Sequence, residues 1–178
     1  MNRITIPAIE TATGSTAEIY AQIKKSVGSI PNLFAVLGHL TPETLKAFLN
    51  AENILAQGSL NKQDLQTIRL LVSNLTGCDY CEAAHFMLGK MAGLPVETLR
   101  QIRAGEPTGD AKRDALIRFV KMLQQTSGTI SQEEFNAIRA AGYTDAQLAD
   151  ISFTYSLILF TNTFNRINDT AVDFPPIN

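Results

Sequence analysis

The sequence has no tryptophan, only two cysteines and two histidines, and no block of like charge. Each shortage removes a class of function. Lys and Arg number 15 against 17 for Asp and Glu, a formal net charge of −2. No basic stripe interleaved with aromatics occurs, so nucleic acid is not an expected partner. The longest apolar stretch, "ISFTYSLILFTNTF" from Ile151 to Phe164, is too short to span a bilayer and carries Ser, Thr and Asn. It reads as a buried helix, and no membrane partner is expected. The opening "MNRITIPAIETATG" has no apolar core of a signal peptide, which makes the cytoplasm the expected location. In that reducing compartment two nearby cysteines are more often catalytic or metal-binding than a structural staple.

Strand signals are also missing, because no stretch alternates over enough residues. Helix punctuation is plentiful. The 178 residues are 45% apolar, enough for one domain with its own core. The expected fold class is all-α, with an extended arm over 1–14 and a helical domain over 15–178. Ser15 can cap a helix to about Val27. Pro31 suits the first turn of a short helix ending near Leu40. Thr41-Pro42 starts the next, which ends at Gly58. A helix from Asn61 to Gly77 follows, then one over about 78–91 stopped by Gly93 and Pro95. Further helices are expected near 96–104, 111–125 and 132–140, with a long last one over about 145–168. Ser131-x-x-Glu134 and Thr144-x-x-Gln147 are capping-box patterns.

The stretch "GCDYCEAAH", residues 77–85, holds both cysteines and one histidine. On a helix at about 100° per residue, with Cys78 at zero, Cys81 falls near about 300°, Glu82 about 40° and His85 about 340°. Both thiols and the imidazole then share one face. Cysteines at i and i+3 can close a disulfide. A helix N-terminus stabilises a thiolate, and a histidine one turn on can move its proton. Structural zinc wants four ligands, and Cys78, Cys81 and His85 supply three, so no metal and no cofactor are expected. The plain alternative is a helix whose small cysteines pack in a core. The helix start favours Cys78 as thiolate, while the i,i+4 spacing favours coupling of Cys81 to His85.

"LQTIRLLVSNLTGCDYCEAAH" resembles the core of the AhpD-like alkylhydroperoxidases, within the carboxymuconolactone decarboxylase superfamily. That core is a glutamate, eleven residues, then Cys-x-x-Cys-x-x-x-His. "IPNLFAVLGHLTPETLKAFL" and "FTNTFNRINDTAVDFP" extend the likeness to a subgroup of uncharacterised peroxidase-related proteins. The resemblance implies a single-domain AhpD-like helical bundle that forms trimers or hexamers. It implies a thiol-dependent peroxidase acting on a small hydroperoxide, reduced again by a thiol or lipoyl-type partner. In that scheme Cys81 is oxidised to a sulfenic acid, Cys78 resolves it, and His85 relays protons. Rival readings are a carboxymuconolactone-decarboxylase-like enzyme on a small organic acid, which need not use a Cys pair, and a redox-sensing oligomer without catalysis.

The sequence departs from the family core at one position. Gln66 stands twelve residues before Cys78, where the core has its glutamate. Gln66 can orient His85 but cannot take a proton at neutral pH. A weak peroxidase is one outcome. A substitute carboxylate is another, and Glu82 is the nearest by sequence, though a first-turn glutamate also simply suits the helix dipole. Tyr80 is either an access-path residue or packing, and His39 reads as a turn or surface residue. Arg69 could face the same cleft or form a surface ion pair. Met87 and Met91 read as a core stripe. Asn162, Asn165 and Asn168 put polar groups at helical spacing on an apolar helix, and are expected to hydrogen-bond across a helix or subunit contact, including the arm.

Overall fold

Polar caps set the helix starts. Asn61 Oδ1 accepts from Asp64 N at 2.8 Å, Asp110 Oδ1 from Arg113 N at 3.0 Å and Ser131 Oγ from Glu134 N at 3.1 Å. Thr144 and Gln147 close the full reciprocal box, at 3.2 and 3.0 Å. Each such bond satisfies an amide left over at a helix start. The computed structural model describes residues 2–177. Met1 and Asn178, the outer ends of the expected arm and helical domain, lie outside the described residues.

Among the described residues the helices are α1 (Gly14–Val27), α2 (Asn32–Leu40), α3 (Pro42–Ala56), α4 (Lys62–Leu75), α5 (Asp79–Met91), α6 (Val96–Ala104), α7 (Ala111–Thr126), α8 (Gln132–Ala140) and α9 (Asp145–Asn168), with no strand. The all-α expectation holds. A 3-10 turn at Ile9–Thr11 interrupts the N-terminal segment. One start differs from the sequence reading, and one expected cap bond is missing although α3 begins at Thr41-Pro42 as expected. Helix α1 begins at Gly14, leaving Ser15 inside the first turn, and no side chain caps it. Thr41 likewise makes no cap bond, and its hydroxyl meets that of Thr44 at 2.7 Å. None of the described helices is long and apolar enough to cross a membrane.

Helix α4 is the centre. Residues 64 to 73 are all buried, so it is enclosed around its whole circumference. Helices α5, α6, α7 and α9 pack around it, while α1, α2 and α3 form a neighbouring group that meets the bundle at α9 and at points on α4 and α5. Leu70, Leu71, Val72 and Ile68 are fully buried there. At roughly 1.5–3 kcal/mol for each large aliphatic side chain buried, such a helix is held by packing rather than propensity. Its polar residues are accommodated one by one. Thr67 and Ser73 donate to the carbonyls of Gln63 and Arg69, one turn back. Helix α6 approaches α5 closely at Gly89, where a Cβ would lie 2.5 Å from Leu99 Cδ2.

Methionine does not fill the core as expected. Met91 is 76% exposed at the end of α5, and Met87 is only half-buried.

The chain ends are tied to α9. Arg3 N and Ile4 N donate to the backbone oxygen and Oδ1 of Asn168, at 2.7 and 2.9 Å. Ala171 N donates to Asn2 Oδ1 at 2.7 Å. Past α9, Asp173 accepts from Asn32 N at 2.8 Å and so caps α2.

Candidate active site

The turn between α4 and α5 positions the dithiol. Gly77 sits at φ +67°, in the left-handed region. Cys78 N bonds to Ser73 O at 2.9 Å and Gly77 N to Asn74 O at 3.0 Å, the paired bonds of a Schellman close. Cys78, which ends this motif, is at once the N-cap of α5, and its Sγ accepts from Cys81 N at 3.4 Å. A sulfur in the place of a capping oxygen is therefore aimed at the free amides of a helix start.

Both cysteines are reduced and buried, at 2% and 3% exposure. They polarise each other in opposite directions. A hydrogen bond from the Cys81 thiol lowers the pKa of Cys78. Burial opposes this, while the Cys81 amide and the Arg166 cation assist it. The Cys81 pKa is raised, first by that same bond to Cys78 and then by burial. Asn165 and Thr161 offset part of the rise. Asn165 Nδ2 donates to Cys81 Sγ at 3.2 Å. A cleft of about 260 Å³ opens beside Cys78, bordered by Tyr80, Asn165, Arg166 and the segment 169–172. Tyr80 is thus both cleft wall and packing: its OH accepts from Leu33 N at 3.2 Å, and its ring meets Phe174 edge-on at 5.2 Å.

His85 belongs to a separate cluster. Its Nδ1 is 2.9 Å from Gln66 Oε1. With that oxygen as acceptor, the hydrogen sits on Nδ1 and leaves Nε2 as the open acceptor. Burial, with the Arg69 cation adding to it, drives the His85 pKa down to about 3. His85 is therefore neutral across the ordinary pH range. Arg69 is held by Glu52 of α3 at 2.7 Å, and both are largely buried. Among the described residues no hydrogen bond joins His85 to either sulfur.

Glu82 faces away from this cluster. Its two oxygens take Arg103 Nε of α6 at 2.5 Å and Asn74 Nδ2 of α4 at 3.0 Å. It is 6% exposed and bolts three helices together. The structure thus brings Cys78 and Cys81 together, and Gln66 and His85 together, but not Glu82 with His85. His39 is exposed and borders a different hollow, under residues 7–13. Among the described residues no group of three or more His, Cys, Asp and Glu side chains is gathered to hold a metal ion.

The contact of Asn165 with sulfur is what sequence reasoning missed. The asparagine spacing on α9 signalled buried hydrogen bonds, and all three are buried. Asn162 reaches Thr76 at 2.8 Å and Asn168 reaches the N-terminal segment. Nothing in the spacing says that the middle one meets Cys81, which lies 84 residues earlier. Glu52 was also unmarked, because its partner Arg69 comes from another helix.

Residues 42–117 match the carboxymuconolactone decarboxylase family. No curated protein matches the sequence. Its fold is shared by solved structures, among them the following three. An uncharacterised peroxidase-related protein from Ralstonia eutropha JMP134, described as an alkylhydroperoxidase AhpD core, superposes with TM-score 0.84 at 20% identity, over 97% of this chain and 92% of that one. A peroxidase-related protein from Silicibacter sp. TM1040 gives 0.82 at 20%, over 96% and 91%. The debrominase Bmp8 gives 0.77 at 13%, over 97% and 93%. Residues 42–117 are thus similar to the carboxymuconolactone decarboxylase family, and the whole chain has the helical fold of the AhpD-like structures.

Proposed function

We propose that the protein is a thiol-dependent peroxidase that reduces hydroperoxides by cycling Cys78 and Cys81 between dithiol and disulfide. One observation carries this: two free cysteines sit at i and i+3 on a helix start, the Cys81 amide donates to Cys78 Sγ at 3.4 Å, and Cys78 lines a cleft. The Cys78 thiolate attacks the terminal oxygen of a hydroperoxide. An S–O bond forms, the O–O bond breaks, and the O–H passes to sulfur. The departing alkoxide takes the Cys81 proton and leaves as an alcohol. The Cys81 thiolate then attacks Cys78, forming the S–S bond, and the expelled hydroxide takes a proton from solvent. Two electrons have moved from the sulfurs to the peroxide. An external thiol, monothiol or lipoyl-type, returns them by exchange.

This order differs from the one the family resemblance implies, which gives the first attack to Cys81. The cysteine that lines the cleft is Cys78, and the bonds from Cys81 lower its pKa. His85, neutral and held by Gln66, serves as an acceptor and orienting group rather than as a stored proton. Mass spectrometry of the full chain after hydrogen peroxide is the test. A Cys78–Cys81 bond formed at substoichiometric peroxide, and lost on adding a dithiol, is expected. Thiols that survive excess peroxide would sink the reading. Turnover of a small organic acid that survives loss of both cysteines would favour the decarboxylase-like alternative instead.

We further infer that the chain acts as a homo-oligomer, a trimer or hexamer, through α9. Phe153, Phe160 and Ile167 are 40%, 37% and 59% exposed. They recur every seven residues, so they form one apolar stripe along the helix. Ile54 of α3, a helix packed on α9, is 53% exposed. A second copy of the chain is the occupant that fits a stripe of this length. Light scattering is expected to give a multiple of 19.4 kDa, and Phe160→Glu with Ile167→Glu to give the monomer. A monomeric native chain would refute the inference.

A further inference from the structure

Three buried asparagines lie on α9, and two have polar partners at both ends of their amides. Asn162 Nδ2 donates to Thr76 Oγ1 at 2.8 Å, and its Oδ1 lies 3.4 Å from Ser73 Oγ, whose proton it shares with Arg69 O. Asn168 Nδ2 donates to Thr170 Oγ1 at 2.9 Å and its Oδ1 receives Ile4 N at 2.9 Å. These two tie helices and chain ends together. Asn165 is different. Its Nδ2 is spent on Cys81 Sγ, and its Oδ1 is buried with no hydrogen-bond partner among the described residues. The residue is 2% exposed and borders the cleft beside Cys78. A buried acceptor without a donor is destabilising, so a site that keeps one calls for a ligand to fill it.

We propose that Asn165 is a catalytic residue of the dithiol, with Nδ2 stabilising the Cys81 thiolate of the resolving step and Oδ1 accepting the O–H that passes from the hydroperoxide to Cys78. The assignment rests on the peroxidase reading above. A single acceptor serves both stages, because the transferred oxygen keeps its hydrogen. Oδ1 binds the hydroperoxide O–H first and the sulfenic acid O–H afterwards. Nδ2 acts once the Cys81 proton has gone to the alkoxide. A charged acceptor then replaces a neutral thiol, and its hydrogen bond strengthens. Asn165 contributes to both halves of the oxidative cycle, whereas Asn162 and Asn168 contribute only to packing.

The experiment is single-turnover oxidation of the full chain by hydrogen peroxide, with dimedone trapping of sulfenic acid and mass spectrometry of the disulfide. Asn165→Leu keeps the shape and removes both polar ends. It is expected to slow both sulfenic acid formation and disulfide formation, the latter at least about tenfold. Asn165→Asp keeps an acceptor and loses the donor. It is expected to form sulfenic acid and stall before the disulfide, and it stands in if the leucine variant does not fold. A second measurement isolates the donor. In a Cys78→Ser background, thiolate absorbance near about 240 nm should show Cys81 ionising at higher pH once Asn165→Leu is added. Disulfide formation at the native rate in both variants overturns the proposal and leaves the peroxidase reading intact. A native chain that forms no disulfide overturns both.

Discussion

Cys78→Ser is expected to reduce hydroperoxide turnover by at least about a thousandfold, the order of loss seen when a nucleophile is removed. The reason is local. Cys78 is the sulfur that borders the cleft, accepts the Cys81 amide at 3.4 Å and is favoured as thiolate. A serine hydroxyl at that position fills the cap but is a far weaker nucleophile. Cys81→Ser should behave differently. The hydroxyl introduced there can still donate to the Cys78 sulfur, so the first attack survives. The reaction then halts at sulfenic acid, because no second thiol closes the bond. Stopped-flow peroxide consumption and dimedone labelling separate the two variants. The reverse pattern, with labelling at Cys81 in Cys78→Ser, would restore the order that the family resemblance implies.

Gln66→Glu is expected to change both activity and acid stability. It places a carboxylate about where Gln66 Oε1 now stands, 2.9 Å from His85 Nδ1. A negative neighbour raises the His85 pKa from its present value of about 3. His85 could then hold a proton and return it, and turnover should rise about tenfold, at the low end of what general acid–base groups supply. The stability effect follows by linkage. In the native chain the folded pKa, about 3, lies below the ordinary histidine value, so the unfolded chain binds more protons between the two. The stabilisation from a neutral His85 is complete above about pH 6.5 and is lost as pH falls toward about 3. The limiting slope is about 1.4 kcal/mol per pH unit. The substitution should flatten that slope. Urea unfolding of both proteins from about pH 7 to about pH 4 measures it. Equal slopes with equal turnover would mean that position 66 does not govern His85.

Much of the fold was legible from punctuation. Thr144 with Gln147, Asn61, Gly77 and the proline starts mark helix ends by local chemistry, and local chemistry is what a sequence displays. Ser15 and Thr41 mark ends too, yet neither caps: α1 begins one residue before Ser15, and the Thr41 hydroxyl meets that of Thr44 instead. The shared helical phase of Cys78, Cys81 and His85 was readable in the same way. Its chemical division was not. His85 turns to Gln66 on α4 while the sulfurs turn to α9, and a helical wheel of α5 alone does not contain those neighbours. Glu82 shows the same limit. By sequence it is three residues from His85, but a partner on α6 claims it.

The Asn165–Cys81 bond also has a consequence in time. Synthesis delivers the two cysteines and α4 well before α9, with 84 residues separating Cys81 from Asn165. At cellular elongation rates that gap lasts roughly 4–17 s. During it the nascent chain holds both thiols without their amide donor and without the segment 169–172 that walls the cleft. On the assignment proposed above, a ribosome-bound chain stopped short of α9 would carry a dithiol that closes slowly, and reactivity would switch on only when α9 docks against α4 and α5.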